Sequence, residues 1–153
     1  MKHLIKSTII LSFMFVSVNY SYALDIQQGE WMVKSEAGIT HICITPELVS
    51  SYKNTVKGTV TKVNHKNDAK RASMGDYTSI IMENTSDHRI EDITINKPDS
   101  SNHVVIDLAK MSDTQLQLTI TSESKSAEKT THENHQGIET FVSSTCSEKT
   151  RLK

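Results

Sequence analysis

Alternation of apolar and polar residues runs through much of this chain and is clearest in the stretch "TQLQLTIT". There Leu116, Leu118 and Ile120 share one side, while Gln115, Gln117, Thr119 and Thr121 share the other. A period of two marks a strand with one buried and one solvated face, because successive side chains of an extended chain point opposite ways. The preceding run "HVVIDLAKM" sets Val104, Ile106 and Leu108 on one face, and "SDTQ" supplies the turn between the two. Together they predict an antiparallel hairpin. "RIEDITIN" is a further strand with Ile93 and Ile95 inward, ended by the breaker "KPDSSN".

Upstream, "GEWMVKSE" and "GITHICIT" predict a first hairpin that turns through Glu36 to Gly38. "TVKGTVTKVNH" reads as a strand from Thr55, with Val56 and Val60 separated by Gly58 at a bulge. "DYTSIIMEN" is another strand, "TSDH" a turn, and "GIETFVSSTC" contains the last strand. "SESKSAEKTTHENHQ" is polar throughout and reads as an exposed hairpin end or a long loop. One segment breaks the pattern. In "TPELVSSYKN", Thr45 suits a helix N-cap, Pro46 the first helical position, and Glu47 the positive end of the helix dipole. Leu48 and Tyr52, four apart, share a face of that helix. The expectation is a mainly β fold, an antiparallel sheet or partly open barrel of about seven or eight strands with one short α-helix.

Few prolines and glycines and many Thr, Ser, Val and Ile residues agree with strands. The first 23 residues read differently. Lys2 and Lys6 precede an apolar run from Ile9 to Val18, and Ser21-Tyr22-Ala23 offers small residues at a cleavage point. That is the make-up of a cleaved secretory signal, and the run is shorter than the ~20 residues that span a bilayer. The division expected is therefore 1–23 signal peptide and 24–153 a single β-rich domain, periplasmic or secreted. No cysteine follows the cleavage point, so lipid attachment there is not expected. The net charge is −1, and the signal holds two lysines and no acid, so the remainder carries −3 with His neutral. A weakly acidic, mixed surface lacks the clustered Lys and Arg that bind phosphate, which argues against nucleic acid. No later segment is apolar enough to predict a membrane span.

Export changes how the two cysteines read. In an oxidising compartment Cys43 and Cys146 are expected to pair; the alternative is two free thiols in a core. If paired, neither serves as a thiolate nucleophile. Trp31, the sole tryptophan, reads first as a core anchor and second as a ligand-stacking residue at a barrel mouth. His132 and His135 of "HENH" are the candidate metal ligands. On a strand their spacing sets them on opposite faces, so only a turn or a helix brings them together. The competing reading is a solvated polar hairpin, with His41, His65, His88 and His103 scattered elsewhere. The sequence contains no Gly-x-Ser-x-Gly elbow, no Cys-x-x-Cys and no Gly-rich phosphate loop, and Asp25, Asp92 and Asp107 cannot be placed together from sequence. No catalytic residue and no cofactor is therefore nominated.

Three motifs carry a resemblance: "IQQGEWMVKS" soon after the signal, "CITPEL" next, and "SSTCSEK" at the end. In order and spacing the chain resembles the exported bacterial proteins of domain-of-unknown-function family 3617. These have an early Gly-Leu-Trp-Glu-like strand, a Cys-Leu-Thr-Pro-Glu-like motif and a cysteine near the C-terminus. Glu30 stands where an apolar residue usually precedes the Trp, and the middle of the chain offers no motif. The resemblance implies an exported β-sheet domain and assigns no activity. The function expected is a small exported binding or interaction protein whose partner is a protein or a small molecule. The alternatives are a His-mediated metal-binding protein and a periplasmic inhibitor or immunity protein.

Overall fold

A computed structural model describes residues 23–64, 75–148 and 150, so the segment read as a signal peptide lies, except for Ala23, outside the described residues. Among the described residues there are eight strands: β1 (Gly29–Ser35), β2 (Gly38–Ile44), β3 (Val60–Val63), β4 (Asp76–Asn84), β5 (His88–Lys97), β6 (Ser100–Ser112), β7 (Gln115–Ser126) and β8 (Thr130–Ser143). They form one antiparallel sheet in the order β2-β1-β8-β7-β6-β5-β4-β3. The sheet is open, which decides between the two β architectures. Strands β4 to β8 are a meander, each paired with the next in sequence. The β1–β2 hairpin then docks against β8, so the first strand lies beside the last. The polar stretch 122–136 is a hairpin end: β7 and β8 run through it in register and turn at Ala127 to Lys129.

Helix α1 (Pro46–Asn54) carries the chain from edge strand β2 toward edge strand β3. Its start obeys local chemistry, with the Thr45 hydroxyl accepting from the Leu48 N–H and Pro46 in the first turn. The sequence expectation for the residues after it needs correction. Thr55 to Thr59 is a turn and not a strand, but Gly58, at φ +85°, does form a bulge there, its N–H donating to the Ile81 carbonyl while the Ile81 N–H donates to the Thr59 carbonyl. Only glycine adopts that backbone without strain, so β3 begins at Val60.

Partner residues across antiparallel strands share a face, so the register sorts every side chain. One face carries Trp31, Ile42 and Ile44, then Phe141 and Glu139, then Leu116, Leu118 and Ile120. It continues through Leu108, Ile106 and Val104 to Arg89, Glu91 and Ile93, and to Ile81 and Ser79. Helix α1 lies on this face at one end. Leu48, Val49 and Tyr52 pack there against the buried Ile26, Trp31, Ile44 and Leu116. The segment before β1 helps cover that end. Leu24 is fully buried, its N–H donates to Asn84 Oδ1, and the Asp25 N–H donates to the Ser86 carbonyl.

Three further β-bulges bend strands near this covered end. Each gives one strand an extra residue, namely Met82 in β4, Met111 in β6 and Val142 in β8. A bulge interrupts the ladder and deepens the local twist, and all three extra residues are apolar and exposed.

A disulfide joins Cys43 to Cys146. In register, Cys43 lies opposite Glu30, and Glu30 lies opposite Ser143, so the tail after β8 returns across β1 to reach β2. The Ser147 N–H donates to one Glu30 carboxylate oxygen at 2.8 Å, and His41 Nδ1 meets the other at 2.8 Å. The Ser147 N–H holds the Glu30 carboxyl below the usual glutamate range, with His41 adding to the effect. The unusual acid before the tryptophan thus fastens the C-terminal tail. Among the described residues no helix is long and apolar enough to cross a membrane.

Candidate functional site

Beneath α1 the helix-bearing face holds charge where apolar residues are the norm. Arg89 is only 6% exposed, and its guanidinium stacks 4.6 Å from the centre of the Tyr52 ring. Arg89 Nη2 donates to Glu91 Oε2 at 3.3 Å, and the other Glu91 oxygen accepts from the Ser79 hydroxyl. Arg89 Nη1 is shielded from solvent and has no hydrogen-bond partner among the described residues. A buried donor left without a partner costs about 1–3 kcal/mol, so such an atom requires an explanation.

The second buried charge is Glu139 of β8, 6% exposed, whose carboxyl burial pushes up toward the neutral form. Tyr52 links the two. Burial raises the pKa of its hydroxyl; Arg89 opposes that rise, while Glu139 and Glu91 add to it. A half-buried tyrosine therefore stands among a guanidinium and two carboxyls.

Away from α1 the same face becomes apolar. The pairs Leu108↔Leu118, Ile106↔Ile120 and Ile93↔Val104 place these side chains side by side on β5, β6 and β7. Leu108 is buried and the other five are half-buried, and among the described residues no helix or second sheet lies over those five. The arrangement is an apolar strip that leads to a buried cation with one uncommitted donor.

The opposite face is polar. His88 bridges Glu83 at 3.1 Å and Asp107 at 2.8 Å. Burial opposes its protonation, but the hydrogen bonds to Asp107 and Glu83 outweigh that, and its pKa is raised. His103 meets Asp92 at 2.9 Å, and His132 meets Glu123 at 3.4 Å. An open groove of about 420 Å³ lies between them, lined by His103, Val105, Thr121, Glu123, His132 and Asn134 among others.

The residues singled out from sequence are placed as follows. Trp31 is 1% exposed, edge-on to Phe141 with ring centroids 5.5 Å apart, and its indole N–H donates to the Gln27 carbonyl at 3.0 Å. It is a core residue and does not line a ligand surface. His132 and His135 do not converge. In β8 they take opposite faces, His132 across from Glu123 and His135 across from Ile120, because the segment is strand and not turn. Among the described residues no group of three or more His, Cys, Asp or Glu could hold a metal ion, and His65 lies outside them. Cys43 and Cys146 are bonded. Asp92 and Asp107 each pair with a histidine, and Asp25 lies near Lys53 and Lys110.

Sequence reasoning did not single out Arg89. The signal was present, since Arg89 and Glu91 precede Ile93 and Ile95 at a period of two, which puts both charges on the inward face.

Two relatives from Salmonella resemble the chain along its length. The uncharacterized protein YtgA of Salmonella typhimurium is 32% identical over 167 aligned positions, which cover 97% of this chain and 96% of the relative. The protein of the same name from Salmonella typhi gives the same values. No family model matches the chain, and no solved structure matches it.

Proposed function

This chain belongs to the family of YtgA, and from that premise we propose that it is a non-catalytic binding protein, working outside the cytoplasm, that holds an apolar or amphipathic ligand on its helix-bearing face. The observation that carries this reading is the partial cover of that face. α1 packs over Trp31, Ile44 and Leu116, whereas Ile93, Val104, Ile106, Leu118 and Ile120 have no second layer over them among the described residues. Ligand sites are typically apolar surfaces with a few well-placed polar groups, and Arg89 is such a group here. The location draws support from the signal-like N-terminus and from the disulfide, since such bonds persist in oxidising compartments. Kinship with family 3617 belongs to the same proposal, supported by the bond that ties its two cysteine motifs together.

The test begins with protein recovered from a periplasmic extract, whose intact mass should lack residues 1–23. An environment-sensitive naphthalene dye added to this folded protein at neutral pH should brighten. Ile106→Gln and Ile120→Gln should each reduce that signal without unfolding the sheet. A dye that stays dark with folded protein would remove the ligand-binding reading.

The open sheet favours a second reading. Edge strand β2 has no further strand beyond it among the described residues, and Ile39 on it is 62% exposed. A partner could add a strand there, as extended peptides do at sheet edges. A proline at Thr40 should block such capture; retention of the same partners by Thr40→Pro would refute it.

A further inference from the structure

We infer that the ligand of the helix-bearing face is a long-chain carboxylate, its headgroup at Arg89 and its chain along Ile106 and the neighbouring strip. The inference rests on the binding role proposed above and adds the ligand's chemistry. It starts from the guanidinium. Arg89 is more than nine-tenths buried and is held by the Tyr52 ring and by Glu91, which leaves the Nη1 side uncommitted. The planar fork of arginine matches a carboxylate, and it is always charged. The guanidinium itself is held in place, but Nη1 is shielded, so an anion reaches it only by displacing the side chains that cover it.

The register supplies the rest of the ligand. Arg89 lies opposite Leu108, Glu91 opposite Ile106 and Ile93 opposite Val104, with Leu118 and Ile120 alongside. From Arg89 to Ile93, opposite Val104, the strand advances roughly 13 Å at its usual rise per residue. That length suits most of an extended twelve-carbon chain; the strip is apolar on β6 and β7, while β5 carries Glu91 between Arg89 and Ile93. The polar positions beyond it, Asn102, Ser122 and Ser124, close the strip at its far end.

The surroundings favour a single negative charge over a double one. Glu91 already accepts from Arg89 Nη2, so a phosphate dianion at Nη1 would lie beside another anion on the same guanidinium. A carboxylate brings one charge to one free donor.

The experiment titrates the mature, disulfide-intact protein calorimetrically with dodecanoate, dodecanol and dodecyl phosphate. Dodecanoate should bind roughly ten-fold tighter than dodecanol, the difference a charge-assisted hydrogen bond supplies. Arg89→Met should remove that preference and leave dodecanol binding unchanged, while Ile106→Gln should weaken both ligands alike. A diazirine-bearing dodecanoate should label β6 and β7 peptides containing Val104–Ile106 or Leu118–Ile120, a readout that stands even where Arg89→Met does not fold. Equal binding of acid and alcohol, tighter binding of the phosphate, or labelling confined to other strands would overturn the carboxylate assignment and leave the binding role intact. Failure of all three probes to bind would overturn both.

Discussion

Reduction of the Cys43–Cys146 bond tests how the sheet is held together. The bond closes a loop across a sequence separation of 103 residues. For a loop near that size, lost chain entropy in the unfolded state corresponds to roughly 4–5 kcal/mol. Net stabilities of domains run about 5–15 kcal/mol, so the bond accounts for a large share. With a urea slope of about 2 kcal/mol/M, removing it should lower the unfolding midpoint by roughly 2 M. The slope itself should rise, because the reduced chain unfolds to a more expanded state. The folded state offers little to offset the loss. Without the bond the tail across β1 keeps the Ser147 N–H contact to Glu30, while β8 keeps its ladder to β1 and β7. Trp31, sole tryptophan and 1% exposed beside Glu30, reports the transition by fluorescence. The comparison is oxidised protein against the Cys43→Ala/Cys146→Ala double variant, in the same buffer and without reductant. A midpoint that moves by less than about 0.5 M would refute the entropic argument, since that corresponds to roughly 1 kcal/mol.

Other substitutions probe the remaining parts of the architecture. Gly29 has φ +134°, and a Cβ there would lie 2.1 Å from the Ser143 carbonyl oxygen. Gly29→Ala should therefore cost more than about 3 kcal/mol in urea unfolding. Gly58→Ala, in open space at φ +85°, should cost only about 1–2 kcal/mol. Leu116→Ala, at a site 1% exposed under α1, should cost about 2–5 kcal/mol, checked by thermal melting. Glu139 has its folded pKa raised by burial, so it destabilises the fold once pH exceeds its unfolded value and costs nothing below it. Glu139→Gln should then be more stable than the parent at pH 7, with the gap closing as pH falls below the ordinary glutamate range. A gap that widens on acidification would reverse the sign of that argument.

Much of this fold was legible in the alternation. Leu116, Leu118 and Ile120 define one face of β7, and the Thr45-Pro46-Glu47 signal starts α1 where it stands. What escaped has physical reasons. Thr55 and Val56 favour strand by side-chain type, but the Thr59 N–H bonds the Val56 carbonyl and turns the chain there, and the bulge at Gly58 joins that turn to β3. Further bulges fall at Met82, Met111 and Val142, none of them glycine, where an extra residue in one strand becomes visible only once its partner is known. The histidine pair of "HENH" looked like a ligand set only if the chain turned there, and a continuous ladder to β7 keeps it extended. Arg89 is the converse case. Alternation put it on the inward face, yet only the packing of Tyr52 over it shows a buried cation and not a solvated strand end.

The neighbour relation of β1 and β8 dictates when the molecule can become whole. The β1–β2 hairpin can form from local sequence, but the aromatic partner of Trp31 is Phe141, supplied by the last strand. Until Thr130–Ser143 emerges, Trp31 lacks that ring and β1 has one edge unpaired. A long-range closure of this kind is slow by its topology, and an open strand edge invites pairing with other chains. The cell must therefore deliver the chain through β8 before the first hairpin is safe. A chain cut short before β8 would lose the wall of its own core.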